Sequence, residues 1–110
     1  MLEKYIPVLK QIYAMAKATD IEHGNTYNLS SYLNSLDFET IKVVQVIMYL
    51  GRDNEYNELA DGYQRYANLR KDFDSQGWNT KEVEVNQIIS KCPFAQYLKA
   101  GMRILGITLQ

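Results

Sequence analysis

The ten residues from 41 to 50 constrain the fold of this chain more than any other segment. They read Ile-Lys-Val-Val-Gln-Val-Ile-Met-Tyr-Leu and are apolar nearly all the way round a helix. Their β-branched residues would also suit a buried strand, but the segment is longer than most strands. Asp37 before it has the position of a helix N-cap, and Gly51 after it has the position of a left-handed helix stop. We therefore expect a central buried helix over 38–50.

Five further segments show apolar residues at helical spacing. Pro7 is tolerated near the first turn of the first helix, and Pro93 suits the first position of the last one. The residues around Glu82 alternate like a strand, but Asn79 and Glu82 have the spacing of a capping box, which favours a helix. Gly101 lies on an apolar stripe, so another backbone can approach it closely. The expected helices cover 3–19, 29–35, 54–75, 80–90 and 93–105, with a polar loop over 19–28 and with Gly77 and Gly106 as stops.

These elements predict an all-α fold, a small single-domain bundle or orthogonal array of five to six helices over residues 1–110. The single cysteine, Cys92, cannot form an internal disulfide, and a chain of this length can bury a core without one. The first residues lack the pattern of a signal peptide, and no apolar run approaches the roughly 18 residues of a membrane span. We expect a cytoplasmic protein with no membrane partner.

The charge balance argues against a nucleic-acid partner. Twelve basic residues (Lys+Arg 12) and thirteen acidic residues (Asp+Glu 13) give a formal net charge of -1, whereas nucleic-acid affinity comes mostly from neutralised phosphates. The sequence also contains no P-loop, no dinucleotide-binding glycine fingerprint, no zincin histidine pair and no serine elbow. We therefore expect no catalytic residue, no cofactor and no metal site, and so a protein that is not an enzyme.

Three residues support an alternative, a small-ligand or metal-binding protein or an enzyme. His23 lies in a polar loop with acidic neighbours, but a metal site needs ligands from more than one element. Cys92 precedes a helix whose dipole favours a thiolate, but nothing supplies the base that a catalytic cysteine needs. Arg52 is able to bind an anion or a partner's carboxylate. A structural role for Arg52 is favoured, at the end of its helix or paired with Asp53 or Glu55.

Tyrosine is the unusual feature of the composition, with nine in the chain. Its ring is apolar while its hydroxyl stays wet, which suits core edges and protein interfaces. Within the expected helix over 54–75, Tyr56, Tyr63 and Tyr66 share a face with Arg70. This face either packs against the core, the favoured interpretation, or binds a partner through aromatic and arginine anchors.

Four parts of the chain form a recognisable series. They are the segment Leu33-Asn34-Ser35-Leu36-Asp37, the hydrophobic helix that ends in Leu50-Gly51-Arg52, the polar helix after it, and the C-terminal segment with its pattern of Pro93, Tyr97, Leu98, Gly101, Leu105 and Gly106. This series resembles a family of small bacterial proteins catalogued as a domain of unknown function. The resemblance covers about 29–107 and implies a small helical protein of bacterial or phage origin. It implies no activity and no catalytic residue.

Together these features predict a non-enzymatic helical module that acts by binding another protein or a second copy of itself. A symmetric homodimer is one form of this class, and a phage-encoded inhibitor is another. The interaction candidates are Arg52, Tyr56, Tyr63, Tyr66 and Arg70.

Overall fold

A computed structural model describes residues 2–22, 26–53, 61–91 and 93–107. Within these ranges the chain forms six α-helices and one short 3-10 turn and contains no strand, which confirms the predicted all-α class. The helices are α1 (Ile6–Glu22), α2 (Tyr27–Asn34), α3 (Phe38–Asp53), α4 (Gly62–Gln76), α5 (Lys81–Ser90) and α6 (Phe94–Ile104), and the 3-10 turn Glu3–Tyr5 precedes α1.

Helix α3 lies at the centre of the molecule. Ten of its residues are buried. It packs most extensively on α6 and also contacts α4 and α5, while α1 packs on α6 and α2, and α2 packs on α5. A helix that is apolar nearly all round needs neighbours on several sides, and α4, α5 and α6 provide them. The prediction of a central buried helix is confirmed, and the radius of gyration of 13.2 Å is that of a compact domain of this length.

The prediction that Gly51 stops this helix is wrong, because α3 continues to Asp53. Position 51 needs a glycine for a different reason, the close approach of another backbone. A Cβ atom there would lie 2.0 Å from the carbonyl oxygen of Tyr97 and 2.4 Å from the backbone nitrogen of Gly101. A Cβ atom at Gly101 would likewise lie 2.0 Å from the carbonyl oxygen of Ile47. The expected close approach at Gly101 is confirmed, and both glycines let the backbones of α3 and α6 touch.

Three predicted helix ends are confirmed. The Oδ1 atom of Asp37 accepts a hydrogen bond from the backbone N–H of Thr40 at 2.8 Å, as an N-cap does. Gly77 and Gly106 adopt left-handed backbone angles, with φ of 89° and 77°, after α4 and α6 respectively. Beyond Gly106, the N–H of Ile107 bonds back to a carbonyl of the last turn of α6 at 2.9 Å, which completes a Schellman motif.

The single helix predicted over 54–75 does not occur. Asp61 is extended, with φ of -72° and ψ of 167°, and its side chain accepts from the N–H of Gln64 at 2.8 Å. Asp61 is therefore an N-cap, and α4 begins at Gly62. A Cβ atom at Gly62 would lie 2.1 Å from the carbonyl oxygen of Ile104, so the start of α4 also approaches the end of α6 closely.

Other predicted boundaries are displaced by one to three residues. Thr80, rather than Asn79, caps α5, and the N–H of Asn79 instead donates to the carboxylate of Glu84 at 2.9 Å. Pro93 precedes α6 as its N-cap residue rather than opening it. Helix α1 extends to residue 22 and α2 begins at residue 27, so most of the predicted 19–28 loop is helical where the structure describes it.

Candidate interaction surface

The structure gives the predicted interaction residues different environments. Tyr66 is only 5% exposed and packs in the core, whereas Tyr63 is 37% exposed. Tyr56 lies outside the described residues. Arg52 pairs with a neighbouring carboxylate, and Arg70 is held between two helices. The face that carries Tyr63, Tyr66 and Arg70 therefore contains both core and surface positions.

Arg52 makes two local contacts at the end of α3. Its Nε atom lies 3.5 Å from Oδ1 of Asp53, and its guanidinium lies 5.1 Å from the ring centroid of Tyr49. The predicted pairing with Asp53 is confirmed. Of the two other residues in the alternative ligand or metal site, His23 and Cys92, neither lies in the described ranges. Among the residues that are described, no three His, Cys, Asp or Glu side chains form a group able to hold a metal ion.

Arg70 connects α4 to α3. Its Nη1 and Nη2 atoms donate to the two carboxylate oxygens of Glu39 at 2.9 and 3.1 Å, and its Nε atom donates to Oδ1 of Asp74 at 3.0 Å. The hydrogen bond to Glu39 raises the pKa of Arg70 above its usual value, and the same bond lowers the pKa of Glu39. Because two carboxylates already engage this guanidinium, Arg70 acts first as an internal connection between helices.

Trp78 is the central residue of a surface that the sequence reasoning missed. Its ring stacks on Phe73, with centroids 5.4 Å apart and planes at 21°, and the Phe73 ring lies 5.2 Å from that of Tyr49. The indole N–H donates to Oδ1 of Asp74 at 2.8 Å, and this bond lowers the pKa of Asp74. Trp78, Phe73 and Tyr49 are all half-buried, so each ring keeps part of its area in water.

Two lysines lie at the ends of this row of rings. The Nζ atom of Lys42 is 5.6 Å from the ring centroid of Trp78 and 4.6 Å from that of Phe38. At the other end, Nζ of Lys91 is 6.0 Å from the ring centroid of Tyr49. These distances fall within the range of cation–π attraction. We call this set the Trp78 surface, defined by Lys42, Tyr49, Phe73, Trp78 and Lys91.

The Trp78 surface escapes sequence reasoning because helical periodicity does not extend to Trp78. This residue follows Gly77 and therefore lies beyond the apolar stripe of α4. The available signal was its residue type: a single tryptophan directly after a helix stop needs a neighbour for its large apolar ring. Phe73, already placed on that stripe, provides one.

A depression of about 490 Å³ lies along α4. It is open to solvent and contains neither Arg52 nor any residue of the Trp78 surface. It therefore does not bring together the residues of the alternative ligand site. Its lining residues are Tyr66, Ala67, Arg70, Lys71, Asp74 and Ser75.

A buried carboxylate elsewhere has a structural explanation. Glu84 is 4% exposed, and its Oε1 atom accepts from Nε2 of Gln45 at 3.1 Å. Its second oxygen accepts from the backbone of Asn79. Buried polar groups are retained when they are hydrogen-bonded, and here the bonds connect α5 to α3.

Comparisons of the chain with protein-family models, with curated proteins and with solved structures found no match. Across the described residues, every helix is too short or too polar to cross a membrane.

Proposed function

We propose that this protein is a non-enzymatic, cytoplasmic interaction module that binds a protein partner through the Trp78 surface. The observation that carries the proposal is the row of three half-buried rings, Trp78, Phe73 and Tyr49, with a lysine at each end. Tryptophan and tyrosine are enriched among the residues that dominate binding energy at protein interfaces.

The anchors of this surface are already held in place. The indole of Trp78 is fixed by its hydrogen bond to Asp74 and by stacking on Phe73, while Asp74 is itself bonded to Arg70. Binding costs less conformational entropy when the contacting side chains are ordered beforehand. Arg70 therefore supports binding indirectly, by ordering its neighbours, and Tyr66 supports it as part of the underlying core.

The chemistry of the surface and the charge of the chain favour a protein partner over a nucleic acid. The formal net charge is -1, and the Trp78 indole is bonded to a carboxylate, that of Asp74. The chain lacks the excess of basic residues from which most nucleic-acid affinity comes. The resemblance of residues 29–107 supports a bacterial or phage setting, in which a symmetric homodimer and a phage-encoded inhibitor of a host protein are two forms of the same proposal.

Affinity capture from the cells that produce the protein tests the proposal, together with light scattering of the concentrated protein. The wild-type chain is expected to capture a partner or to dimerise, and Trp78→Ala to lose that interaction. Trp78→Phe, which keeps an apolar ring on Phe73, should retain part of it. Tyr27→Ala is the matched control, because Tyr27 is an exposed aromatic residue on a different helix, α2.

Two results would count against this assignment. If Trp78→Ala interacts as the wild-type protein does, the Trp78 surface is not the interface. If instead Tyr63→Ala alone removes the interaction, the exposed part of the tyrosine face on α4 is the binding site.

A further inference from the structure

The cations around the row of rings fall into two groups. Arg52 is paired with Asp53, and Arg70 is paired with Glu39 and Asp74. Lys42 and Lys91 have neither an ion pair nor a side-chain hydrogen bond with the described part of the chain. Their ammonium groups are held near rings, which can accept no hydrogen bond as strong as that of a carboxylate.

The ring contacts place these two lysines at opposite ends of the row of rings. Lys42 and Tyr49 lie seven residues apart on α3, which corresponds to two helical turns, or about 10 Å along the axis. Lys42 approaches the Trp78 ring at one end of the row, and Lys91 approaches the Tyr49 ring at the other. The ring centroids along this row are 5.4 and 5.2 Å apart, so the apolar strip is at most about two helical turns long, with one ammonium group near each end.

We infer that the partner presents an acidic amphipathic helix, with two carboxylates about two turns apart and an apolar side chain between them. The carboxylates bind Lys42 and Lys91, and the apolar side chain covers Phe73 and the exposed edge of Trp78. This inference rests on the proposed function and specifies the chemistry of its partner. Charge complementarity is its basis: among the four cations beside the rings, Lys42 and Lys91 are the two that form no ion pair with a described carboxylate.

The local acidic groups restrict where the partner's carboxylates bind. Glu39 and Asp74 lie near Lys42, and both are engaged by Arg70. A carboxylate that binds Lys42 must therefore approach from the solvent side, away from Arg70. A basic segment would instead meet two unpaired lysines, and like charges at an interface oppose association.

Fluorescence titration tests the inference directly, because Trp78 is the only tryptophan of the chain and lies in the proposed site. The probes are two synthetic amphipathic peptides of about 15 residues, long enough to populate a helix. One carries glutamates two turns apart with a leucine between them, and the other carries lysines at the same two positions. The acidic peptide is expected to change the Trp78 emission and to bind at least about tenfold more tightly than the basic one.

Lysine variants then test the two contacts. Lys42→Gln and Lys91→Gln should each weaken binding of the acidic peptide about threefold, as expected for a solvent-exposed ion pair, and added salt should weaken it further. Lys99→Gln is the control, because Lys99 is an exposed lysine on α6 outside the surface. Lys42→Glu should raise affinity for the basic peptide. Circular dichroism of each variant checks that the helices are intact.

Equal binding of both peptides, or no response to the acidic peptide at about 1 mM, overturns the inference. So does equal affinity of the Lys42→Gln, Lys91→Gln and wild-type proteins. If these tests fail while Trp78→Ala still loses its partner, only the acidic chemistry is wrong and the proposed function stands. If Trp78→Ala also keeps its partner, both the inference and the proposed function are wrong.

Discussion

Substituting Gly51 with alanine should destabilise the protein, although alanine is the better helix former. The added Cβ atom would lie 2.0 Å from the carbonyl oxygen of Tyr97, whereas ordinary contact begins at 3.4 Å. The atoms it meets belong to the backbone of α6, so no side-chain rotation relieves the clash. Helices α3 and α6 must separate, and their contact is the most extensive in the fold.

The magnitude follows from two opposing terms. Overpacking a core costs typically 1 to 3 kcal/mol, and the rigid neighbours of Gly51 place this site at about 3 kcal/mol. The higher helix propensity of alanine offsets about 1 kcal/mol of this loss. The net loss is therefore about 2 kcal/mol, which lowers the Tm of a domain of this size by about 8 °C. Thermal unfolding followed by circular dichroism measures it.

Two companion variants make the test specific. Asn86→Ala, at an exposed position of α5, should raise the free energy of unfolding by about 0.5 kcal/mol, since it changes propensity without a clash. Gly51→Asn separates close packing from a left-handed helix stop: asparagine tolerates the left-handed conformation, but it is larger than alanine. We expect Gly51→Asn to be less stable than Gly51→Ala. A Tm that rises in Gly51→Ala, as propensity alone predicts, would refute the close contact of α3 with α6.

Three further predictions concern other parts of the fold. Thr80→Ala should lower the free energy of unfolding, measured in urea, by about 1 kcal/mol, because Thr80 is the N-cap of α5. Asn79→Ala should lower it by less. If Asn79→Ala is the more destabilising variant, Asn79 is the cap, as the sequence predicted. Arg70→Met should cost about 1 kcal/mol and flatten the acid dependence of Tm. In the wild-type protein Arg70 holds the pKa of Glu39 below its ordinary value of 4.5, so this contribution is present above about pH 4.5 and is lost as the pH falls through the folded-state pKa; a Tm profile that Arg70→Met leaves unchanged would contradict this role. The wild-type protein should pass a heparin column unretained at low salt, and salt-dependent retention would favour a nucleic-acid partner.

Features that depend on neighbouring residues in the chain were predictable. The N-cap at Asp37 and the stops at Gly77 and Gly106 follow from side-chain chemistry and backbone angles within one or two turns. The central position of α3 follows from its apolar residues, which no single neighbour can cover. Competition between adjacent caps was harder to judge: Asn79 and Thr80 are both good caps, and the buried carboxylate of Glu84 bonds the backbone of Asn79.

The sequence by itself determined that this chain is helical, where most of its helices lie and which one is buried, because helix periodicity and capping are local physics. Only the tertiary structure decided that Gly51 serves close packing, that Arg70 joins two helices and that Trp78 lies in a row of rings between two lysines. These features depend on how α3, α4 and α6 cross and in what register. Crossing geometry brings together residues far apart in the chain, and the residue pattern of any one helix does not specify it.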